Sequence, residues 1–249
     1  MQAKEIFKII EADFPLRWAE KWDHCGRQYG KKTIEVDKVL VALDLTTEVI
    51  NEAIKKKVNL IITHHPFVFQ KLKKEQKVAY KNKIFKLLDE NNITVYATHT
   101  NFDGKMNELI LSILKGENIR NFTKDNHILK VATVKTTANL ISETLKKLFE
   151  INVIQHNLSD FNQKIKTVAI CTGAGGSYLN ILPSEIDLFI TGEVKWNEWV
   201  IANEKNLNVI CFNHYMENYY TKIFTQYLAE KFPALTVDAY EIKNIINYR

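Results

Sequence analysis

Ile61-Ile62-Thr63-His64-His65-Pro66-Phe67 is the stretch on which the reading of this chain turns. The apolar run from Val58 to Ile62, broken only by Asn59, has the length of a buried strand in an α/β sheet. Two consecutive histidines follow where that strand would end, and ligands of open α/β sheets gather outside the carboxyl ends of the strands. Pro66 disfavours the α region for His65, so the pair is expected to be extended, with side chains alternating in direction. Such a pair suits two neighbouring metal ions, one imidazole each, better than a single ion. The plainer reading is a polar strand end with two solvated rings, and it stands unless the rest of the chain answers the pair.

Two segments do. Val95-Tyr96-Ala97-Thr98-His99-Thr100-Asn101-Phe102-Asp103 again runs from a β-prone stretch into polar groups. Asp103 precedes a helical pattern that starts near Met106, so it reads either as a metal ligand or as the N-cap of that helix. His99 adds an imidazole, as a supporting partner, a proton shuttle or a satisfied core residue. Val209-Ile210-Cys211-Phe212-Asn213-His214-Tyr215-Met216-Glu217-Asn218 is the third strand-like run that ends in histidine. His214 and Glu217, at i and i+3, would share one helix face; the competing role for Glu217 is a first-turn acid facing the helix dipole. His64, His65, Asp103, His214 and Glu217 are imidazole and carboxylate donors that suit Zn, Mn, Fe, Co or Ni. Five are more than one tetrahedral ion needs and fit two divalent ions about 3.5–4 Å apart, a recurring hydrolytic device.

Hydrophobic residues make up 46% of the 249 residues and charged residues 25%, as in ordinary globular chains. No apolar run approaches the ~20 residues of a membrane span, and the start, Met1 to Ile6, reads as a helix rather than a secretory leader. Cys25, Cys171 and Cys211 are sparse and unclustered, which predicts a cytoplasmic protein without a disulfide framework. The net charge of +5 is modest. Much of it lies in Lys71, Lys73, Lys74, Lys77, Lys81, Lys83 and Lys86. That run reads as a solvated face rather than a nucleic-acid site, although its nearness to the histidine pair would allow steering of anions. Neither a membrane nor a nucleic acid is an expected partner. Periodicity predicts helices over 3–11, 46–57, 80–91, 106–115, 138–150, 195–204 and 217–231. It predicts strands over 38–43, 59–62, 94–97, 130–134, 153–155, 167–171, 188–190, 209–212 and 236–240. The alternation indicates an α/β fold. Two lobes are expected, 1–125 and 126–249, packed as one unit. The proposed ligands come from both ends of the chain, so both lobes would contribute to the site.

The chain resembles the NGG-interacting-factor-like family, known in bacteria as GTP cyclohydrolase I type 2 homologs. The resemblance rests on Pro15-Leu16, Ala19-Glu20, Trp22-Asp23, Val41-Ala42-Leu43-Asp44, Ile61 to Phe67, His99 to Asp103, Cys171 to Gly176, Thr191-Gly192-Glu193 and His214-Tyr215. It implies two similar α/β lobes with mixed sheets meeting at a dinuclear metal site, and a ring-shaped homohexamer. It also implies that His64, His65, Asp103 and His214 are ligands. The family's last ligand is a glutamate usually four residues after that histidine. Position 218 is Asn here, so the role is carried to Glu217, on the same helix face. A histidine that commonly follows the family's Thr-Gly-Glu is absent from Thr191 to Trp199; Trp196 and Trp199 are expected to form a packing face instead.

The expected function is metal-dependent hydrolysis of a small molecule, with nucleotides among the candidates and His99 or Glu193 moving protons. Ring opening of GTP is what the family's name implies. There is no GxxxxGK[ST] loop, so Gly173 to Gly176 and the lysine run are the candidate phosphate cradles. Phosphoester or nucleotide hydrolysis fits the same residues. A metal-binding scaffold or regulatory protein without turnover is the alternative, favoured by the displaced glutamate and the missing histidine.

Overall fold

A computed structural model describes residues 1–246 as an α/β protein with two mixed sheets. Along the chain run α1 (Ala3–Asp13), β1 (Gly26–Tyr29), β2 (Lys38–Ala42), α2 (Thr47–Lys56), β3 (Leu60–Thr63), α3 (Leu72–Glu75), α4 (Ala79–Glu90), β4 (Thr94–Ala97) and α5 (Thr100–Ile113). Then follow β5 (Glu117–Asn121), β6 (Lys130–Thr137), α6 (Ala138–Phe149), β7 (Gln155–His156), β8 (Lys164–Cys171), β9 (Leu188–Thr191), α7 (Trp196–Glu204), β10 (Asn208–Cys211), α8 (Tyr219–Lys231) and β11 (Thr236–Tyr240).

The chain divides into two units, Met1–Phe102 with Tyr220–Lys243, and Asp103–Tyr219 with the described residues from Asn244. The division differs from the expected single cut at 125. It falls inside α5, and the chain returns to the first unit in α8. The reason is pairing: β11 runs parallel to β2, from Thr236 beside Lys38 to Tyr240 beside Ala42. Local periodicity cannot detect a partner that far away in sequence.

In the first unit the strand order is β1-β4-β3-β2-β11, with β2, β3 and β4 adjacent and parallel and β1 antiparallel at the edge. β3 and β4 are buried along their whole length, which is why they read as continuous apolar runs. Leu40, Ile50, Ile61, Phe85 and Val95 join sheet and helices in one core. Thr46 caps α2 by accepting from Val49 N, and Lys57 ends it in the left-handed region. In the second unit the order is β5-β6-β8-β9-β10-β7, with β8, β9 and β10 adjacent and parallel. Val131, Ala169, Leu179, Phe189 and Val209 form its core.

Three elements escaped the sequence reading. β1 and β5 are polar edge strands, only partly buried, and α3 is a four-residue turn of helix. Edge strands need no apolar alternation, so their sequences carry little signal. α5 starts at Thr100, well before Met106, so Asp103 lies in its first turn and is not its N-cap. The lysine run is also less uniform than expected. Lys81 is buried, donating to Glu75 Oε2 and Phe67 O at 2.7 Å each, with its ammonium 4.8 Å from the Phe67 ring. No helix among the described residues is long and apolar enough to cross a membrane.

Candidate metal centre

In the first unit the chemistry-bearing side chains stand at the carboxyl ends of three adjacent strands: Asp44 beyond β2, His64 and His65 beyond β3, and His99 beyond β4. His64 N and His65 N donate to Ala42 O and Leu43 O, so the backbone ladder runs on past β3. The pair then bends, with Thr63 Oγ1 donating to His65 O at 2.8 Å. This bend departs from the extended pair expected before Pro66, and it brings the two rings to 5.1 Å instead of splaying them. His64 is fully buried against the Tyr220 ring at 4.7 Å. Ring nitrogens of His64, His65 and His99 all lie within 4.8 Å of one another.

Two of these rings are steered by carboxylates that the sequence reading did not count among the site residues. His65 Nδ1 meets Asp44 Oδ1 at 2.8 Å, and His99 Nδ1 meets Asp23 Oδ1 at 2.9 Å. An ionised carboxylate only accepts, so each Nδ1 carries a proton, which in a neutral ring leaves Nε2 with the lone pair. Burial alone would raise the Asp23 pKa, but its bonds to His99, Thr100 and Cys25 hold it well below the usual carboxylate range. Asp23 and Asp44 lie in stretches that carry the family resemblance, but nothing local shows what they pair with, since their partners are 76 and 21 residues away.

The second unit repeats the layout. Gly173 lies beyond β8, Glu193 beyond β9 and His214 beyond β10. His214 Nδ1 donates to Glu193 Oε1 at 2.7 Å, and its Nε2 lies 2.9 Å from Glu217 Oε2. The spacing that joins them is i, i+3 on a 3-10 turn, His214–Asn218, instead of the α-helix expected from 217. Side chains at i and i+3 eclipse on a 3-10 turn, so Glu217 reaches the ring, whereas Asn218 donates to the Tyr215 hydroxyl at 3.2 Å. Nδ1 already serves Glu193, so an unprotonated Nε2 facing Glu217 puts two acceptors together, an arrangement that a proton or a cation relieves. Carboxylate oxygens of Asp103 and Glu217, both buried, lie within 4.8 Å of each other. A Cβ at Gly173, which has φ +65°, would fall on the Glu217 carboxylate, so glycine there leaves room for it. The donor set of imidazoles and buried carboxylates therefore fits a divalent transition metal.

In the second unit a cavity of about 290 Å³ opens beside His214, lined also by Glu193, Lys195, Gln155, Asn213 and Val194 among others. The two tryptophans following Glu193 do not form the shared packing face expected of them. Trp199 packs on the core, but Trp196 is 83% exposed.

These features define an α/β protein whose two sheets each carry imidazole–carboxylate pairs at the carboxyl edge. The chain matches the Duf34/NIF3 (NGG1p interacting factor 3) family over residues 1–247, and it belongs to that family. A GTP cyclohydrolase 1 type 2 homolog of Mycoplasmopsis pulmonis is 29% identical, covering 96% of this chain and 98% of its own. The homolog of that name from Clostridium acetobutylicum is 31% identical over 86% of this chain and 84% of its own. Among solved structures, a hypothetical protein of Staphylococcus aureus superposes with a TM-score of 0.89 at 25% identity, covering 100% of this chain and 99% of its own. Reduced HcgD from Methanocaldococcus jannaschii does so at 0.84 and 26%, over 97% and 98%.

Proposed function

We propose that this protein is a dinuclear metal-dependent hydrolase of small anionic molecules, working as a cytoplasmic homohexamer. His64, His65, Asp103, His214 and Glu217 would hold two divalent transition-metal ions, Zn, Mn, Fe, Co or Ni. The observation that carries the reading is the repeated carboxylate–imidazole pair, Asp44–His65 at 2.8 Å and Glu193–His214 at 2.7 Å. Supporting carboxylates of this kind fix the tautomer and orientation of metal-ligating histidines. When bound, the ions would supply Lewis acidity to water and to the oxygens of the substrate.

The chain's own residues do the rest. Glu193 orients His214, and Asp44 orients His65. Lys195, at the rim of the 290 Å³ cavity, suits the anionic group of a substrate. The relatives' name supports a nucleotide; ring opening of GTP and phosphoester hydrolysis both belong to this reaction class.

The test is elemental analysis together with turnover on a nucleotide and phosphoester panel. Glu217→Gln should lower the occupancy of at least one metal by ~10–100-fold in affinity or more and abolish turnover, while Asn218→Ala should change little. If Asn218→Ala is severe and Glu217→Gln silent, the carboxylate is no ligand and a metal-binding scaffold without turnover replaces the hydrolase.

A further inference from the structure

His65, His99 and His214 each take a carboxylate on Nδ1. Two belong to the proposed ligands His65 and His214. The third pair, Asp23–His99, has no place in the ligand set, yet it is the most completely built of the three. The Asp23 carboxylate is wholly enclosed. Oδ1 accepts from His99 Nδ1 at 2.9 Å and from His24 N at 2.7 Å. Oδ2 accepts from Thr100 N at 3.1 Å, from the Thr100 hydroxyl and from Cys25 Sγ at 3.0 Å. The Cys25 thiol stays protonated as a donor, because burial and the Asp23 charge push its pKa up to about 12. His99 itself keeps 14% of its side chain exposed, whereas His64 keeps none. Trp22, largely exposed, meets the His99 ring edge-to-face at 5.8 Å. His99 thus borders solvent while its ring nitrogens lie within 4.8 Å of those of His64 and His65.

We infer that Asp23 is a positioning residue that holds His99 in the Nδ1–H form, so that Nε2 accepts the proton of an attacking water. This rests on the hydrolase reading above. In the step, a water oxygen bonds to the electrophilic phosphorus or carbon as its proton passes to His99 Nε2. The bond to the leaving group then breaks with its electron pair, and His99 returns the proton to that group. A general base so placed contributes typically ~10²–10⁴-fold. Orientation by the buried carboxylate is what selects the tautomer.

Asp23→Asn tests this sharply. Oδ2 has three donors, against His99 Nδ1 and His24 N on Oδ1, so the amide nitrogen is expected on the Oδ1 side, facing His99 Nδ1 at the cost of the His24 N bond. That reverses the hydrogen bond and moves the ring proton to Nε2. In zinc-loaded protein, long-range ¹H–¹⁵N correlation spectra, with the His99 signals assigned through His99→Gln, should show Nδ1–H in the wild type and Nε2–H in Asp23→Asn. Metal content should be unchanged in both variants. With a nitrophenyl phosphate ester, kcat should fall by ~100-fold or more with KM little altered. The Asp23→Asn/His99→Gln double variant should lose no more than either single variant, since one residue acts through the other. An unchanged tautomer in Asp23→Asn overturns the positioning role. Loss of metal in His99→Gln makes His99 a ligand and overturns the proton-transfer role. Absence of turnover in the metal-loaded wild type defeats the hydrolase reading and the proton step with it, while the tautomer measurement still decides what Asp23 does.

Discussion

At the carboxyl edge of β2, β3 and β4 the first unit gathers three imidazoles, with Asp23 and Asp44 serving two of them. At the matching edge of β8, β9 and β10 the second gathers one imidazole, its partner Glu193 and the buried acids Asp103 and Glu217. A neutral ring loses far less than a charged carboxylate on leaving water, and His64 is fully buried. In the second unit two buried carboxylates, Asp103 and Glu217, lie within 4.8 Å of each other, and like charges that close repel. The second unit is thus the half whose own electrostatics call for positive charge. The first unit's cluster is built mainly of imidazoles, which carry no such repulsion when neutral.

The loops beside these edges are held differently too, and that difference gives the largest expected effect. After the histidine pair, Glu75 accepts from Phe69 N and Gln70 N at 2.8 Å each and pairs with buried Lys81. In the second unit Glu198 accepts from Lys195 N at 2.7 Å, a capping bond at the start of α7. Glu75→Gln should leave the Lys81 ammonium buried without its partner and cost about 3–5 kcal/mol in urea unfolding. Glu198→Gln should cost clearly less; equal costs would remove the distinction.

The same pair sets an acid limb. Burial raises the Glu75 pKa, but Lys81 and the two backbone N–H groups outweigh it and hold the carboxyl below its ordinary value of 4.5. Its contribution is therefore complete above that value and is lost as pH falls from there through the lower folded-state value. Stability of the wild type should drop more steeply below pH 4.5 than that of Glu75→Gln.

A middle-sized effect compares the supporting carboxylates. Asp44→Asn and Glu193→Gln should each weaken metal retention against a chelator by ~10-fold, the low end for such partners because both are partly solvated. If only one variant responds, only that unit's histidine is a ligand. The smallest effect is local to the second unit. Asn213, just before His214, has φ 65° and ψ 164°, a region that is almost exclusively glycine's. Asn213→Gly should stabilise the fold by about 1 kcal/mol, net of the few tenths lost with its turn-capping side chain. A destabilised variant would show that the Asn213 Oδ1 bond to Tyr215 N outweighs the backbone strain.

Much of the site could be read from the chain because buried parallel strands are continuous apolar runs, and their ends are marked by the first polar residues after them. β3, β4 and β10 announced His64, His65, His99 and His214 in this way. The displaced glutamate was readable only as an ambiguity between positions 217 and 218; on the 3-10 turn it is Glu217 that lies against His214. Trp196 was misjudged because i, i+3 spacing says which residues share a face, not whether that face is covered.

By itself, then, the sequence determined the α/β class, most strands and helices, the family and the histidines at the strand ends. All of these follow from local periodicity and short-range motif. Tertiary structure alone decided the return of β11 to β2, the edge strands β1 and β5, the burial of Lys81 and the pairing of Asp23 with His99 and Asp44 with His65. Those depend on hydrogen bonds and ion pairs between residues far apart in the chain, whose free energy exists only once the sheets have formed and water has been excluded from around them.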